Sequence, residues 1–246
     1  MYHFFTETEF FTESEAVITG PDVNHIKNVL RMKPGEQILL SDGKGTNCLC
    51  EIAEIESSRV LARILPEPVE DTELPVEVTL YQGLPKGDKM EFIILGAAGI
   101  VPVSTRNTVV KLDPKKEEAK VKRWQAIAES AAKQSKRMIV PEIGPVLSYK
   151  EAVAEAASMD LFLLPYEDSE SLSGAGGMEL TRSLIGGLEP GKKCAVLIGP
   201  EGGFSDGEVE AARNAGARTV TLGKRILRTE TAGLFVLSAV GLLLED

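Results

Sequence analysis

The chain has 246 residues, enough for one large domain or two modest ones with a full hydrophobic core. Hydrophobic residues make up 43% and charged residues 26%, which excludes a disordered, fibrous or membrane-embedded chain. Cys48, Cys50 and Cys194 are spaced neither as a disulfide framework nor as a paired metal-binding motif. The first eleven residues are acidic where a targeting peptide is basic. We therefore expect a soluble cytoplasmic protein without a metal or a membrane partner.

The net charge of −10 argues, taken alone, against a nucleic-acid partner. The charges are segregated along the chain, however. Residues 86–140 contain 12 basic and 6 acidic residues, whereas the rest of the chain contains 15 basic and 31 acidic residues. One basic region in an otherwise acidic protein is compatible with a polyanionic partner.

Residues 1–73 have the pattern of short strands and turns. Apolar residues 37–40 lead into Asp42-Gly43, which indicates a hairpin, and residues 48–55 and 60–65 have the length of strands. Residues 21–31 fit a short helix. This pattern predicts a small β-barrel with one helix.

Three prolines and four acidic residues between positions 65 and 75 predict an extended linker and a domain boundary. Residues 74–246 then alternate between strands and helices, which predicts an α/β domain with a largely parallel sheet. The predicted strands are 76–82, 99–103, 161–164, 195–198 and 219–222, and a long helix is predicted at 116–136.

The last predicted helix, residues 229–244, is apolar on more than one face. It is too short to span a bilayer. We expect it to be buried against its own sheet and against a second subunit, in a homodimer.

Two loops follow predicted strands and could form a ligand site. Residues 199–204, Gly-Pro-Glu-Gly-Gly-Phe, precede a helix whose start is marked by the capping box Ser205 and Glu208. Residues 222–233 form the second loop, Leu-Gly-Lys-Arg-Ile-Leu-Arg-Thr-Glu-Thr-Ala-Gly. Loops at the carboxyl ends of neighbouring parallel strands line the ligand crevice of an α/β sheet. The first loop matches neither dinucleotide-binding nor P-loop motifs, so phosphate binding is the weaker interpretation, and a purely structural tight turn is the alternative.

These two loops resemble the SPOUT class of methyltransferases, and closely the bacterial ribosomal RNA small-subunit methyltransferase E family. Further similar segments are 25–36, 86–94, 109–112 and 123–137, so the resemblance covers nearly the whole chain. It implies a PUA-like β-barrel that binds RNA (1–73) and a SPOUT domain (74–246) with a deep trefoil knot at about 195–233. The implied activity is S-adenosylmethionine-dependent methylation of N3 of one uridine in 16S ribosomal RNA. The substrate is either the free RNA or the assembled small subunit.

The resemblance also implies site residues. Arg228 would stabilise the developing uridine anion or grip a phosphate, and Glu201 or Glu230 could be a general base, although we favour a bracing role for Glu230. The implied cofactor-binding residues are Leu164, Pro165, Ile198, Gly199, Pro200, Gly202, Gly203, Leu222, Gly223, Ile226, Leu227, Thr231 and Ala232. The implied RNA-binding residues are Arg31, Lys86, Lys89, Arg106, Arg123, Gln134, Arg137 and Arg225. Trp124 could stack on a base, but its helical spacing with apolar residues favours a core position.

The sequence departs from the family in two places. Ile94 runs directly into Leu95, where about one helical turn is missing, and we favour an omitted segment over a true deletion. Asn107 stands where the family usually has a serine. The main alternative function is a noncatalytic RNA-binding or ribosome-assembly factor that keeps the fold. A Rossmann-type methyltransferase is a weaker alternative, because no glycine-rich turn follows the first predicted α/β strand.

Overall fold

The computed structural model describes residues 1–94, 99–110, 112–166 and 177–245. They form two compact units. Residues 1–73 and 129–140 make up the first unit, and residues 74–128 and 141–246 the second. Leu95, at the predicted omission, and Lys111, in the basic region, lie outside the described residues.

The first unit is built on a five-stranded sheet in the order β1-β3-β4-β5-β2. The strands are β1 (Tyr2–Phe5), β2 (Glu15–Thr19), β3 (Gln37–Ser41), β4 (Asn47–Ile55) and β5 (Arg59–Ile64). β1 and β3 pair in parallel, and the other neighbours pair antiparallel. The hairpin predicted at Asp42-Gly43 is confirmed, because Gly43 has a positive φ of 72° between the paired strands β3 and β4.

One helical segment covers the core of this sheet. α1 (Pro21–Asn24) begins with proline at its first position and continues as a π-helical turn, His25–Val29, which confirms the predicted short helix. Its buried residues Val23 and Ile26 pack with the apolar face of the strands, including Ile38 and Leu40. Burial of these side chains is the main stabilising contribution to a sheet of this size.

The second unit contains a seven-stranded parallel sheet. Its strands are β6 (Glu77–Gly83), β7 (Gly99–Ser104), β8 (Glu142–Ile143), β9 (Leu147–Ser148), β10 (Leu161–Pro165), β11 (Lys193–Ile198) and β12 (Arg218–Val220). The order is β12-β10-β11-β6-β7-β8, and β9 also pairs with β7. The predicted parallel α/β sheet is confirmed, with the two-residue strands β8 and β9 as additions that are too short to leave a sequence pattern.

Helices cover both faces of this sheet. They are α2 (Lys89–Ile94), α3 (Pro114–Ser135), α4 (Tyr149–Ala156), α5 (Gly177–Gly186), α6 (Asp206–Asn214) and α7 (Thr229–Leu244). Apolar residues of α2, α3, α5 and α7 pack on one face, and those of α4 and α6 pack on the other. Buried residues such as Val196 and Leu197 alternate between the two cores, as expected for a strand with both faces covered. Among the described residues, no helix combines the length and the apolar composition of a membrane span.

The helix ends follow the sequence signals. The capping box of α6 is present, since the backbone N–H and the hydroxyl group of Ser205 both donate to the carboxylate of Glu208. Gly216, two residues after α6, has a positive φ of 98°, as a glycine after a helix does. Trp124 is buried in the core of the second unit, which confirms the core interpretation of this residue.

Candidate cofactor and RNA site

A cavity of about 540 Å³ lies at the carboxyl end of the parallel sheet. Its walls come from the ends of β10 and β11, from the loop of residues 199–204, and from residues 222–232, which lead into α7. The two loops selected from the sequence are thus brought together. A crevice outside the carboxyl ends of parallel strands is the usual ligand position in such sheets.

The loop of residues 199–204, which we call the glycine-rich loop, is held by close packing against the neighbouring strand. A Cβ atom at Gly83, the last residue of β6, would lie 2.6 Å from both the backbone N and the Cδ atom of Pro200. A side chain at position 83 would therefore displace the loop. Gly203 has a positive φ of 65°, a conformation that residues with a Cβ adopt only under strain. These glycines let the loop turn sharply beside the cavity.

Buried hydrogen bonds join this loop to the start of α7. The hydroxyl group of Thr229 donates to the carbonyl oxygen of Gly199 at 2.6 Å. The side-chain amide of Gln82, which is fully buried, donates to the Thr229 oxygen at 2.8 Å and to the carbonyl oxygen of Gly83 at 3.0 Å. The end of β6 and both cavity loops are thereby fixed to one another.

A third loop, which follows β7, holds the glycine-rich loop from outside. The side-chain amide of Asn107 donates to the carbonyl oxygens of Gly202 at 3.0 Å and Gly203 at 3.2 Å. The backbone N–H of Arg106 donates to Glu208 Oε1 at 2.8 Å. Asn107 therefore supports the wall of the cavity through two hydrogen bonds.

One wall of the cavity carries a chain of charged groups. Lys89 Nζ lies 2.9 Å from Glu201 Oε1 and 3.2 Å from Glu230 Oε2. Glu230 Oε1 lies 3.8 Å from Arg228 Nη1, and the Arg228 side chain is 81% exposed. Arg228 can thus reach a molecule in the cavity, whereas Glu230 is turned inward.

The carboxylate of Glu201 is stabilised in its ionised form. Partial burial raises its pKa, but hydrogen bonds from the ammonium group of Lys89 and the backbone N–H of Lys86 outweigh burial, so the pKa lies below its usual range. The hydrogen bond to Glu201 in turn raises the pKa of Lys89. A carboxylate with a lowered pKa is a weaker proton acceptor.

Most of the implied cofactor-binding residues line the cavity. Those that do are Pro165, Ile198, Gly199, Pro200, Gly203, Leu222, Ile226, Leu227 and Ala232, together with the implied catalytic residues Arg228 and Glu201. Four others are not among the lining residues. Leu164 packs into the core, Gly202 contacts Asn107, Gly223 has a φ of 108°, and the hydroxyl group of Thr231 donates to the carbonyl oxygen of Arg228. The individual roles of all these residues stay predictions.

Four lining residues were not selected from the sequence: Tyr166, Phe204, Val220 and Thr229. Phe204 and Thr229 belong to the two quoted loops, so their positions could have suggested them. Tyr166 directly follows β10, and Val220 is the last residue of β12. Only the register between these two paired strands brings both residues to the cavity.

The implied RNA-binding residues of the second unit divide into exposed side chains and side chains held in ion pairs. Lys86, Arg106 and Arg225 are exposed. Arg123 Nη2 lies 2.7 Å from Glu91 Oε1, and Lys89 is held by the two cavity glutamates. Lys89 and Arg225 also line the cavity. The first group is available to phosphates, whereas the second already has carboxylate partners.

The first unit contains the other three. Arg31 and Gln134 are exposed, and Arg31 has a positive φ of 55°. Arg137 Nη2 lies 2.6 Å from Glu73 Oε2. Glu73 also accepts a hydrogen bond from the backbone N–H of Ile139 at 3.0 Å. Arg137 therefore braces the segment after α3 within this unit.

Among the described residues, no group of three or more His, Cys, Asp or Glu side chains is arranged to hold a metal ion.

Comparison with known protein families identifies both parts of the chain. Residues 72–241 match the model of an RNA methyltransferase domain, and residues 18–65 match the model of an RNA methyltransferase PUA domain. The protein is therefore an RNA methyltransferase of α/β fold with an N-terminal PUA domain.

Individual relatives define the family more closely. The ribosomal RNA small subunit methyltransferase E of Bacillus subtilis is 39% identical over 91% of this chain and 88% of its own. The structure of the enzyme of that name from Neisseria gonorrhoeae, bound to S-adenosylmethionine, is 34% identical with a TM-score of 0.79 over 99% of this chain and 98% of its own. A methyltransferase from Legionella pneumophila, in complex with the same cofactor, is 29% identical with a TM-score of 0.79 over 98% and 97%. The chain belongs to the ribosomal RNA small subunit methyltransferase E family.

Proposed function

We propose that this protein transfers the methyl group of S-adenosylmethionine to N3 of one uridine in 16S ribosomal RNA, in the cytoplasm. The observation that carries the proposal is the 540 Å³ cavity, where the two family loops meet beside Arg228. Two relatives of the same fold were crystallised with this cofactor.

The residues present fit the cofactor. Ile198, Leu222 and Leu227 provide an apolar wall for an adenine ring. The backbone of the glycine-rich loop also lines the cavity and is within reach of the polar groups of the cofactor. The carboxylates of Glu201 and Glu230 suit a cationic sulfonium group. When bound, the cofactor would supply an activated methyl group, whose carbon accepts the nucleophile as the bond to sulfur breaks and S-adenosylhomocysteine leaves.

The protein's own contribution is positioning and charge stabilisation. N3 of uridine has to give up its proton, to solvent or to a carboxylate of the site, in order to be methylated, and negative charge develops on the base as this proton leaves. The exposed guanidinium group of Arg228 is suited to stabilise that charge or to bind the phosphate of the target nucleotide. The hydrogen bonds and the lowered pKa of Glu201 support a bracing role over a role as general base.

RNA binding is assigned to exposed side chains of both units. Lys86, Arg106 and Arg225 in the second unit, and Arg31 and Gln134 in the first, are open to solvent. The lysine and arginine side chains among them neutralise phosphates, so the affinity for RNA should fall with rising salt concentration. The PUA-like domain (1–73) would bind RNA and the SPOUT domain (74–246) would hold the cofactor. The trefoil knot at about 195–233 stays part of this proposal, as does the choice between free RNA and the assembled small subunit.

The proposal includes a homodimer through the last helix. Apolar residues of α5 and α7 line a groove of about 170 Å³, among them Ile185, Phe235 and Ala239. Leu242, at the same groove, is 85% exposed. A second copy that covers this face would remove Leu242 and the exposed parts of Phe235 and Ala239 from water.

Calorimetry and methyl transfer together test the proposal. We expect the protein to bind S-adenosylmethionine and to transfer its methyl group to small-subunit RNA or to small subunits from a deletion strain. Mass spectrometry of the digested RNA should locate one 3-methyluridine. Binding of RNA without affinity for the cofactor would instead support the noncatalytic assembly factor.

A further inference from the structure

Lys89 occupies a position that the basic character of its region does not explain. It is the first residue of α2, and its side chain is only 32% exposed. Its ammonium group contacts one carboxylate from each cavity loop, Glu201 at 2.9 Å and Glu230 at 3.2 Å. A lysine that binds RNA would direct its ammonium group into solvent, whereas the ammonium group of Lys89 already forms ion pairs with two carboxylates of the protein.

The position of Lys89 reduces the repulsion between the two carboxylates. Two carboxylates on one wall of a cavity repel each other and favour protonation of one of them. The ammonium group of Lys89 lies within ion-pair distance of both and so compensates this repulsion. Because Glu230 also lies 3.8 Å from the guanidinium group of Arg228, the ion pairs form a continuous chain from the glycine-rich loop to the residue proposed to act on the uridine.

We propose that Lys89 is a positioning residue for methyl transfer, which keeps Glu201 and Glu230 ionised and in place beside Arg228, and that it is not an RNA contact. This inference rests on the proposed function. It replaces the RNA-binding role that the sequence resemblance implies for Lys89.

Several titratable groups lie near Glu201 and Glu230. Lys89 of α2 and Arg228, at the start of α7, contact the glutamates, and the side chains of Tyr166 and Arg225 also line the cavity. Lys86 contributes its backbone N–H to Glu201 at 3.0 Å, while its side chain is exposed. The raised pKa of Lys89 and the lowered pKa of Glu201 are in the direction that such a contact produces.

The substitution Lys89→Met removes the ammonium group and keeps the aliphatic side chain. We expect the pKa of Glu201 to rise, because repulsion from Glu230 is no longer compensated. The affinity for S-adenosylmethionine, measured by calorimetry between about pH 5 and pH 8, should then weaken toward the acid end of the range. The wild-type affinity should not change in this way.

The kinetic readout separates positioning from RNA binding. For Lys89→Met we expect kcat to fall roughly tenfold, the equivalent of about 1.4 kcal/mol, with the KM for RNA unchanged. Lys86→Met is the matched control, because it removes an equal charge three residues away and leaves the backbone N–H to Glu201 intact. This variant should raise the KM for RNA. Lys89→Arg should recover most of the lost kcat.

Each outcome is decisive. If Lys89→Met raises the KM for RNA as Lys86→Met does, with unchanged kcat and unchanged pH dependence of cofactor binding, Lys89 is an RNA contact and the inference is wrong. If Lys89→Met does not fold, two other variants decide. A wild-type kcat in Lys89→Arg together with a reduced kcat in Glu230→Gln supports the positioning role of Lys89. Loss of kcat in Lys89→Arg together with a normal kcat in Glu230→Gln overturns that role. Absence of cofactor binding and transfer by the wild-type protein would refute the proposed function itself.

Discussion

The hydroxyl group of Thr229 donates a 2.6 Å hydrogen bond to the carbonyl oxygen of Gly199. This bond joins the two loops that line the cavity, although the two residues are thirty positions apart. Thr229 is buried, and Gln82 donates to the same hydroxyl oxygen from β6. The spacing between the loops is therefore set by a buried polar network, and such networks are costly to interrupt.

The substitution Thr229→Val keeps the shape of this side chain and removes its hydroxyl group. The carbonyl oxygen of Gly199 and the amide of Gln82 then lose a partner in a buried place, which should lower the free energy of unfolding by about 1–3 kcal/mol. We also expect weaker binding of S-adenosylmethionine. Chemical denaturation and calorimetry measure the two effects. Thr19→Val removes an exposed hydroxyl group at the end of β2, one without a hydrogen-bond partner among the described residues, and should change neither; equal effects in both variants would contradict the role assigned to Thr229.

Gly83→Ala tests the close approach between β6 and the glycine-rich loop. The new Cβ atom would lie 2.6 Å from the backbone N of Pro200, and a backbone atom cannot move without moving the loop. We expect cofactor affinity to fall by at least about tenfold, equivalent to about 1.4 kcal/mol.

Gly207→Ala is the matched control for Gly83→Ala. Gly207 lies in α6, and a Cβ atom there meets nothing within 4 Å. This substitution should leave cofactor binding intact and stabilise the helix by about 0.5–1 kcal/mol. Wild-type affinity in Gly83→Ala would show that the loop tolerates displacement.

The sequence predicts the fold well where each element carries its own signal. The hairpin at Asp42-Gly43, the capping box of Ser205 and the apolar strands each depend on a few neighbouring residues, and all are present. Helix α4 was not predicted, although Ser148 and Glu151 form a capping box at its start. That signal was available in the sequence. The packing of residues 129–140 with the first unit has no local signal, because one continuous helical pattern extends across the division.

The candidate site is only partly accessible to sequence reasoning. The two loops could be selected because their composition is unusual, and the cavity lies between them. The partners of Lys89 could not be foreseen, since Lys89, Glu201 and Glu230 are distant in sequence and meet only through the sheet order. The basic composition around Lys89 pointed to RNA instead. The number of basic residues describes a whole segment of sequence, whereas the ion pairs of Lys89 depend on the direction of its one side chain.

Arg228→Ala tests the proposed catalytic role most directly. The guanidinium group is largely exposed and contacts only Glu230 among the ion pairs described, at 3.8 Å, so its removal should cost little stability. We expect methyl transfer to be lost and cofactor affinity to stay near the wild-type value. Single-turnover transfer and calorimetry separate the two effects. Near-normal turnover would remove Arg228 from the catalytic step.

His3 in the first unit should make stability depend on pH. Its Nε2 atom lies 2.7 Å from Ser41 Oγ, and Ser41 itself donates to Asn47 Oδ1, so Nε2 is the protonated nitrogen. Nδ1 is buried without a hydrogen-bond partner among the described residues. Burial, reinforced by Lys133 and Lys136, lowers the pKa of His3 from 6.5 to about 4.

The sign of the effect follows from this lowered pKa. Between about pH 6.5 and pH 4 the unfolded chain binds the proton more readily than the folded one, so stability should fall as the pH falls through this range. The variant His3→Gln should lose this part of the dependence, measured as thermal unfolding against pH. His25→Gln, which replaces an exposed histidine of the same unit, should behave as the wild type. An unchanged slope in His3→Gln would mean that other groups cause the loss of stability.

The proposed dimer predicts that Leu242→Glu separates the subunits. Leu242 is 85% exposed and lies beside the apolar groove of α5 and α7. A carboxylate there would have to be desolvated in a subunit interface, at a cost of several kcal/mol. We expect sedimentation equilibrium to show a dimer for the wild type and a monomer for Leu242→Glu. Ser238→Glu introduces the same charge at another exposed position of α7, one that does not line the groove, and should stay dimeric. A dimer that survives Leu242→Glu would place the subunit contact elsewhere. A monomeric wild type would rule out the proposed dimer.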